Sequence, residues 1–169
     1  MKISTKTLTR TAIMLALTLA FQALRFIPVF NNPYIIGTLV NLALIVSVII
    51  VGPFSAGVIS IIAPIVALMQ GHLPFPVFVP MVALGNIVLC FLFYYVQKIN
   101  KYAAVAISSL GKWIFLYYAS KFVLSFFVSV PLEQFNKLVA GFNIPQLVTA
   151  LIGGFLAVII SKFLKRSAI

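Results

Sequence analysis

The sequence predicts an all-α integral membrane protein, a bundle of six transmembrane helices in one domain. Two observations carry this prediction. First, 63% of the 169 residues are hydrophobic, 8% are charged, and the mean hydropathy is +1.22. A soluble domain of this length could not bury so much apolar surface. Second, twelve lysines and arginines stand against a single acid, Glu133, and eight of the twelve form clusters that flank apolar runs long enough to cross a bilayer.

Helix breakers divide the chain into these spans. About 20 apolar residues cross a hydrocarbon core, within a range of roughly 17–25. Pro28 ends the first span and Pro131 ends the fifth, because proline cannot continue a helix. The predicted spans are residues 9–27, 35–51, 56–70, 77–96, 103–130 and 144–163.

The second and third spans leave an alternative open. Gly52 and Pro53 between them favour a tight turn that joins two separate helices. The same residues would also fit one kinked or re-entrant element. We favour two spans, because the combined segment is too long for one crossing and each half nearly suffices.

The basic residues predict the topology. Cytoplasmic loops of membrane proteins are enriched in lysine and arginine. Six spans with cytoplasmic N- and C-termini place every basic cluster inside, next to the anionic inner leaflet of the lipid bilayer. Five spans would put the C-terminal cluster outside. The clusters are Lys2, Lys6 and Arg10; Lys98 and Lys101; and Lys162, Lys165 and Arg166.

In this topology the outer side receives three connections, residues 28–34, 71–76 and 131–143. They contain most of the prolines, His72, Glu133 and several amides. The polar chemistry is therefore concentrated outside, which favours capture of a substance from the outer side.

Several functions are excluded or disfavoured. The chain has no P-loop motif, no serine–histidine–acid set and no intramembrane acid to carry a proton, so we expect no enzyme. Cys90 alone provides no disulfide, and His72 without acidic or cysteine companions is a poor metal site. The basic residues flank apolar runs and form no face, which argues against nucleic acid. We expect no metal and no cofactor.

Small residues form a stripe on helix one. Ala12, Ala16 and Ala20 are four residues apart and therefore share a face, where another helix can approach closely. This alanine stripe could pack within the same bundle or form a docking face for another subunit.

At this point the chain resembles a known family. The features are the short basic N-terminus, the alanine stripe, and the segments 37–41 (GTLVN), 51–57 (VGPFSAG) and 84–86 (LGN) in about 170 residues. Together they look like the substrate-binding S component of an energy-coupling factor (ECF) vitamin transporter of the prokaryotic plasma membrane. The resemblance implies that the alanine stripe docks on a transmembrane coupling subunit, which two ATPases drive. It implies a micronutrient substrate such as riboflavin, folate, pantothenate, lipoate or queuine.

Two lysines lie inside helix five, where a charge is costly unless it is paired or reaches water. Lys112 and Lys121 are nine residues apart, so they point to opposite faces. Tyr117, Lys121 and Ser125 form a stripe that we expect to face the interior, so we favour Tyr117 and Lys121 as ligand contacts over Lys112. The alternative for Lys121 is a side chain that extends to the outer headgroups.

Four further polar residues are candidate ligand contacts. Arg25 is near the outer end of helix one, and Gln146 begins helix six on the outer side. Asn41 and Asn86 are amides inside apolar helices and need hydrogen-bond partners. Each has a structural alternative: Arg25 as an interfacial anchor or a partner of Glu133, and the amides as links between helices.

The sequence thus predicts a binding subunit that captures a small organic micronutrient for ATP-driven uptake. Two other functions stay open. A self-contained secondary transporter or channel would move its solute without an ATPase, and an accessory scaffold subunit would bind no small ligand.

Overall fold

The computed structural model describes residues 4–166, and the side chains as far as Phe163. Within that range the chain forms seven α-helices and two short 3₁₀ turns, Leu24–Phe26 and Pro28–Phe30. Lys2 lies outside the described residues, and so do the side chains of Lys165 and Arg166. The helices are α1 Thr5–Ala23, α2 Pro33–Ile50, α3 Pro53–Met69, α4 Phe78–Val96, α5 Lys101–Phe127, α6 Leu132–Gly141 and α7 Ile144–Arg166.

Local sequence signals fix several helix ends. The side chain of Asn32 accepts a hydrogen bond from the Tyr34 amide and caps α2, which has Pro33 in its first turn. Asn100 caps α5 in the same way. Gly52 adopts φ 125°, which an L side chain rarely tolerates, and so makes the turn between α2 and α3. The structure therefore has two separate helices here.

The described helices form an all-α bundle suited to a membrane. Four segments are long and apolar enough to cross a bilayer by length and composition: Thr5–Phe26, Pro33–Ile50, Phe78–Val96 and Leu132–Phe163. The apolar helix α3 is slightly shorter, with 17 residues. The number of crossings and the six span boundaries remain predictions.

One region differs from the sequence prediction. We expected helix five to continue to residue 130 and residues 131–143 to form a loop. Instead, α5 ends at Phe127 and the separate helix α6 occupies Leu132–Gly141. Pro131 precedes α6, where its fixed φ suits a helix start, and the i, i+4 pair Glu133–Lys137 supports the helix.

Two glycine contacts show the direction of α7 relative to α2. A Cβ built on Gly153 would lie 2.5 Å from the Thr38 carbonyl oxygen, so α7 approaches the backbone of α2 where no side chain intervenes. Gly37 likewise lies against Thr149 of α7. Because the contacting positions advance together along both helices, α2 and α7 run parallel.

The described residues of the basic clusters lie near one end of the bundle, where early α3 also meets late α4 at Gly57 and Phe91. Thr11 and Ser55 are hydrogen-bonded at 2.6 Å, which places the starts of α1 and α3 together. Lys162 donates a 3.0 Å bond to the Tyr102 hydroxyl, which brings the late part of α7 to the start of α5. Which side of the membrane this end faces remains a prediction.

An apolar cluster holds α6 over the other end. Phe78, Met81, Leu116, Leu124, Val139 and Phe142 are buried together, and the Phe78 and Phe142 rings lie 5.1 Å apart. Full burial of each such side chain stabilises the folded state by about 1.5–3 kcal/mol. The short helix is therefore fixed against α4 and α5.

Candidate functional site

A cavity of about 400 Å³ lies at the end of the bundle opposite the basic clusters. All seven helices contribute to its lining, and so do the three connections that the sequence predicts on the outer side. The volume falls within the range of about 300–1,000 Å³ that is usual for small-molecule sites. The cavity is therefore large enough for a small organic ligand.

The floor of the cavity is built from one lysine and two amides. Lys112 Nζ donates to Asn41 Oδ1 at 2.7 Å and to Asn86 Oδ1 at 2.8 Å. Asn41 Nδ2 in turn donates to Thr149 Oγ1 at 3.2 Å. Lys112 is only 3% exposed, Asn41 2% and Asn86 3%. Helices α2, α4, α5 and α7 thus meet in one polar network.

The charges around the cavity are positive. Arg25, Lys112 and Lys137 belong to its lining, and no acid is found among the described lining residues. Glu133, the single acid of the chain, lies on the exposed surface of α6 and binds Lys137 at 2.7 Å. The cavity therefore favours a negatively charged group.

One wall carries polar atoms without partners. Gln22 donates to the Ala63 carbonyl at 3.2 Å, and its Oε1 is buried without a partner. His72 Nε2 is also buried without one. Burial lowers the pKa of His72 below its ordinary value and the charge of Arg25 lowers it further, while a hydrogen bond with the Gln22 backbone opposes them. The wall thus keeps a neutral imidazole available as a hydrogen-bonding group.

The structure brings together four of the six predicted ligand contacts. Arg25, Asn41, Asn86 and Gln146 all line the cavity. Although they come from distant parts of the chain, they share this one site. Their contact with a ligand remains a proposal.

The other two candidates, Tyr117 and Lys121, lie outside the cavity lining. The interior-facing stripe that we expected is not formed, because Lys121 and Ser125 are exposed. Lys121 Nζ instead donates to the Tyr117 hydroxyl at 2.6 Å, and it sits 4.2 Å from the centre of that ring. The helix places Lys112 inward and Lys121 outward, as their spacing requires.

Sequence reasoning missed or undervalued four cavity residues: Gln22, His72, Lys112 and Lys137. Gln22 is a polar residue in an apolar helix, which is the signal that identified Asn41. Lys137 lies on α6, and its i, i+4 spacing from Glu133 could have predicted that helix. His72 carried no comparable signal, because its place in the wall depends on the path of the connection after α3.

The alanine stripe faces away from the bundle. Ala12, Ala16 and Ala20 are exposed, whereas Met14, Thr18 and Gln22 make the buried face of α1. Packing within the bundle therefore does not occupy the stripe. The face of α1 that carries the stripe is available for contact with lipid or with another subunit.

The fold defines a multi-pass membrane protein with a cavity whose floor is the lysine–amide network. A family model described as "ECF transporter, substrate-specific component" matches residues 6–164. The chain therefore belongs to the substrate-specific components of ECF transporters, and the resemblance noted from sequence is confirmed. It is a transport subunit and not an enzyme, and its family implies a small-molecule substrate and association with the ECF module.

The comparisons with curated proteins and with solved structures gave no match. Among the described residues, no group of three or more histidine, cysteine or acidic side chains is placed to hold a metal ion.

Proposed function

We propose that this chain captures a small organic micronutrient, a vitamin or vitamin-like compound, on the outer side of a prokaryotic plasma membrane. The partners are a transmembrane coupling subunit and two ATPases, and the ATPases supply the energy for uptake. The N- and C-termini lie in the cytoplasm. The partition of basic residues to one end and of the cavity to the other supports this orientation, because basic residues favour the cytoplasmic side.

The single observation that carries the proposal is the cavity floor. A buried ammonium and two buried amides form a preorganised polar site inside an otherwise apolar bundle. Polar side chains at membrane depth are costly and are typical of binding sites. A scaffold subunit would have no need of such a site.

The proposed docking surface is the alanine stripe of α1. Ala12, Ala16 and Ala20 are exposed on a helix that buries little of its own surface. Small side chains let two helices approach closely in lipid, where van der Waals packing drives their association. The exposed stripe therefore supports a helix-to-helix contact with the coupling subunit.

The test is native mass spectrometry of the chain purified in mild detergent from cells grown in rich medium. We expect one stoichiometric small molecule, which is then released and identified. A protein that carries nothing and also fails to bind riboflavin, folate, pantothenate, lipoate and queuine would overturn the proposal. Transport by the chain alone in liposomes, without an ATPase, would favour a secondary transporter instead.

A further inference from the structure

The ammonium of Lys112 has one hydrogen-bond donor more than the protein satisfies. A lysine ammonium carries three N–H donors. Among the described residues, only Asn41 Oδ1 and Asn86 Oδ1 accept from it. Since Lys112 lines the cavity and is 3% exposed, a molecule bound in the cavity can supply an acceptor for the third donor.

The charge of Lys112 also lacks a counter-charge. Amide oxygens accept hydrogen bonds but bear no net charge. The chain contains one acidic side chain, Glu133, which is 81% exposed on α6 and is bound to Lys137. No carboxylate side chain is therefore available to Lys112. Because a buried charge without a counter-charge is costly, a ligand that brings a negative charge to Lys112 would lower that cost.

Two further features define the partner. Arg25 adds positive charge to the same lining, whereas Lys137 is paired with Glu133. Another lining residue, Gln22, has a buried acceptor, Oε1, without a hydrogen-bond partner. A bound molecule that donates an N–H or O–H group to this oxygen would bind more tightly.

We infer that the ligand of this cavity is a small organic anion whose carboxylate or phosphate accepts a hydrogen bond from Lys112 Nζ. The anionic group enters first and lies at the floor between Asn41 and Asn86. The remainder of the ligand extends towards Gln22 and His72 and presents a hydrogen-bond donor to that wall. This inference rests on the proposed function, and it adds the chemical class and the orientation of the substrate.

The first experiment identifies the ligand class. The wild-type chain in detergent is incubated with the small-molecule fraction of a rich-medium extract, and the retained molecule is released and identified by mass spectrometry. A soluble organic carboxylate or phosphate supports the inference. A neutral or cationic organic molecule, a phospholipid, or an inorganic anion alone overturns it. Retention of nothing, together with no binding to the panel of vitamins above, overturns the proposed function itself, so the two failures are distinguishable.

The second experiment tests the role of Lys112. Affinity for the released anion is measured by calorimetry for the wild type, Lys112→Met, Lys112→Arg and the control Lys101→Met, which changes the first residue of the same helix. We expect Lys112→Met to weaken binding by about 30-fold or more, since truncating one partner of a buried charge pair costs at least about 2 kcal/mol. Lys101→Met should bind like the wild type. Equal affinity of Lys112→Met and the wild type would overturn the inference.

A third measurement needs no variant and covers the case in which Lys112→Met fails to fold. The methyl ester or primary amide of the released ligand is titrated into the wild-type protein. Its affinity should fall by about 30-fold or more relative to the free acid, because the buried ammonium then faces a neutral group. Undiminished affinity for the neutral analogue would contradict an anion-binding role for Lys112.

Discussion

Lys112 and Asn41 are joined by a 2.7 Å hydrogen bond between α5 and α2. The two residues lie far apart in the sequence, and each is a polar side chain in an apolar helix. Together with Asn86 they form the polar floor of the cavity. The stability of the fold and the chemistry of the site are therefore coupled at this bond.

That coupling predicts the behaviour of a double-mutant cycle. Asn41→Leu removes one of the two acceptors of the Lys112 ammonium, and we expect it to destabilise the protein by about 1–3 kcal/mol. The double variant with Lys112→Met should be destabilised by less than the sum of the two single effects, because either substitution alone already removes the bond. Thermal unfolding in detergent measures both values. The exposed Asn136→Leu serves as the control, and strict additivity would show that the bond contributes little.

Lys121 provides a test of its outward orientation. Lys121→Met should leave ligand affinity within about twofold of the wild type, as is usual for exposed positions away from a site. The reason is that Lys121 contacts Tyr117 outside the cavity lining. Calorimetry with the identified ligand checks this, and a large loss of affinity would return Lys121 to the binding site.

His72 should make stability depend on pH. Burial and Arg25 lower its pKa in the folded state below the ordinary 6.5, so the unfolded chain takes up the proton first. His72 therefore does not reduce the free energy of unfolding above pH 6.5. The free energy of unfolding falls progressively as the pH drops from 6.5 towards the folded pKa. Melting temperatures between about pH 5 and 7.5 should fall more steeply on acidification for the wild type than for His72→Gln. Parallel curves would contradict the lowered pKa.

Gly153 should be intolerant of a side chain. Gly153→Ala places a methyl group against the Thr38 carbonyl and forces α7 away from α2, at a cost of about 1–3 kcal/mol. Gly57→Ala is the matched control, because its nearest neighbour is a ring carbon of Phe91 at 4.0 Å. Thermal unfolding of both variants gives the comparison. Equal stability would mean that the two helices separate without strain.

The alanine stripe predicts a separation of binding from uptake. Replacing Ala12, Ala16 and Ala20 by leucine should abolish uptake in cells that contain the ECF module, because bulky side chains prevent close helix approach. Ligand affinity should stay within about twofold of the wild type, since the three alanines are outside the cavity lining and exposed on the surface of α1. Ala103→Leu alters an exposed alanine on α5 and is the control. Intact uptake by the triple variant would remove the stripe from the docking surface.

Much of the fold follows from sequence because apolar runs and helix breakers are local signals. Gly52 and Pro53 predict a boundary between two helices that the structure reproduces. The helix α6 was missed because it is short and amphipathic, so a search for apolar runs treats it as a loop. The hydrophobic face of α6 is buried only because it packs against Phe78 of α4 and Leu116 of α5, and these contacts are not visible in the local sequence.

The site was harder to predict than the fold. The spacing of Lys112 and Lys121 shows that they face opposite ways, but it does not reveal which of them faces the bundle. That choice depends on how α5 is rotated against α4 and α7. Glycines such as Gly85, which lies against Leu116, help to set that rotation through packing. Pairwise contacts of this kind have no signature in a single sequence.

The cavity draws on every helix of the bundle, and this has a thermodynamic consequence. A ligand in contact with all seven helices would stabilise their packing together, and its release would remove that stabilisation from every helix. By mass action, a ligand present at a thousand times its dissociation constant stabilises the folded state by about 4 kcal/mol. The loaded form is therefore expected to be more resistant to unfolding than the empty form, although the two share one fold.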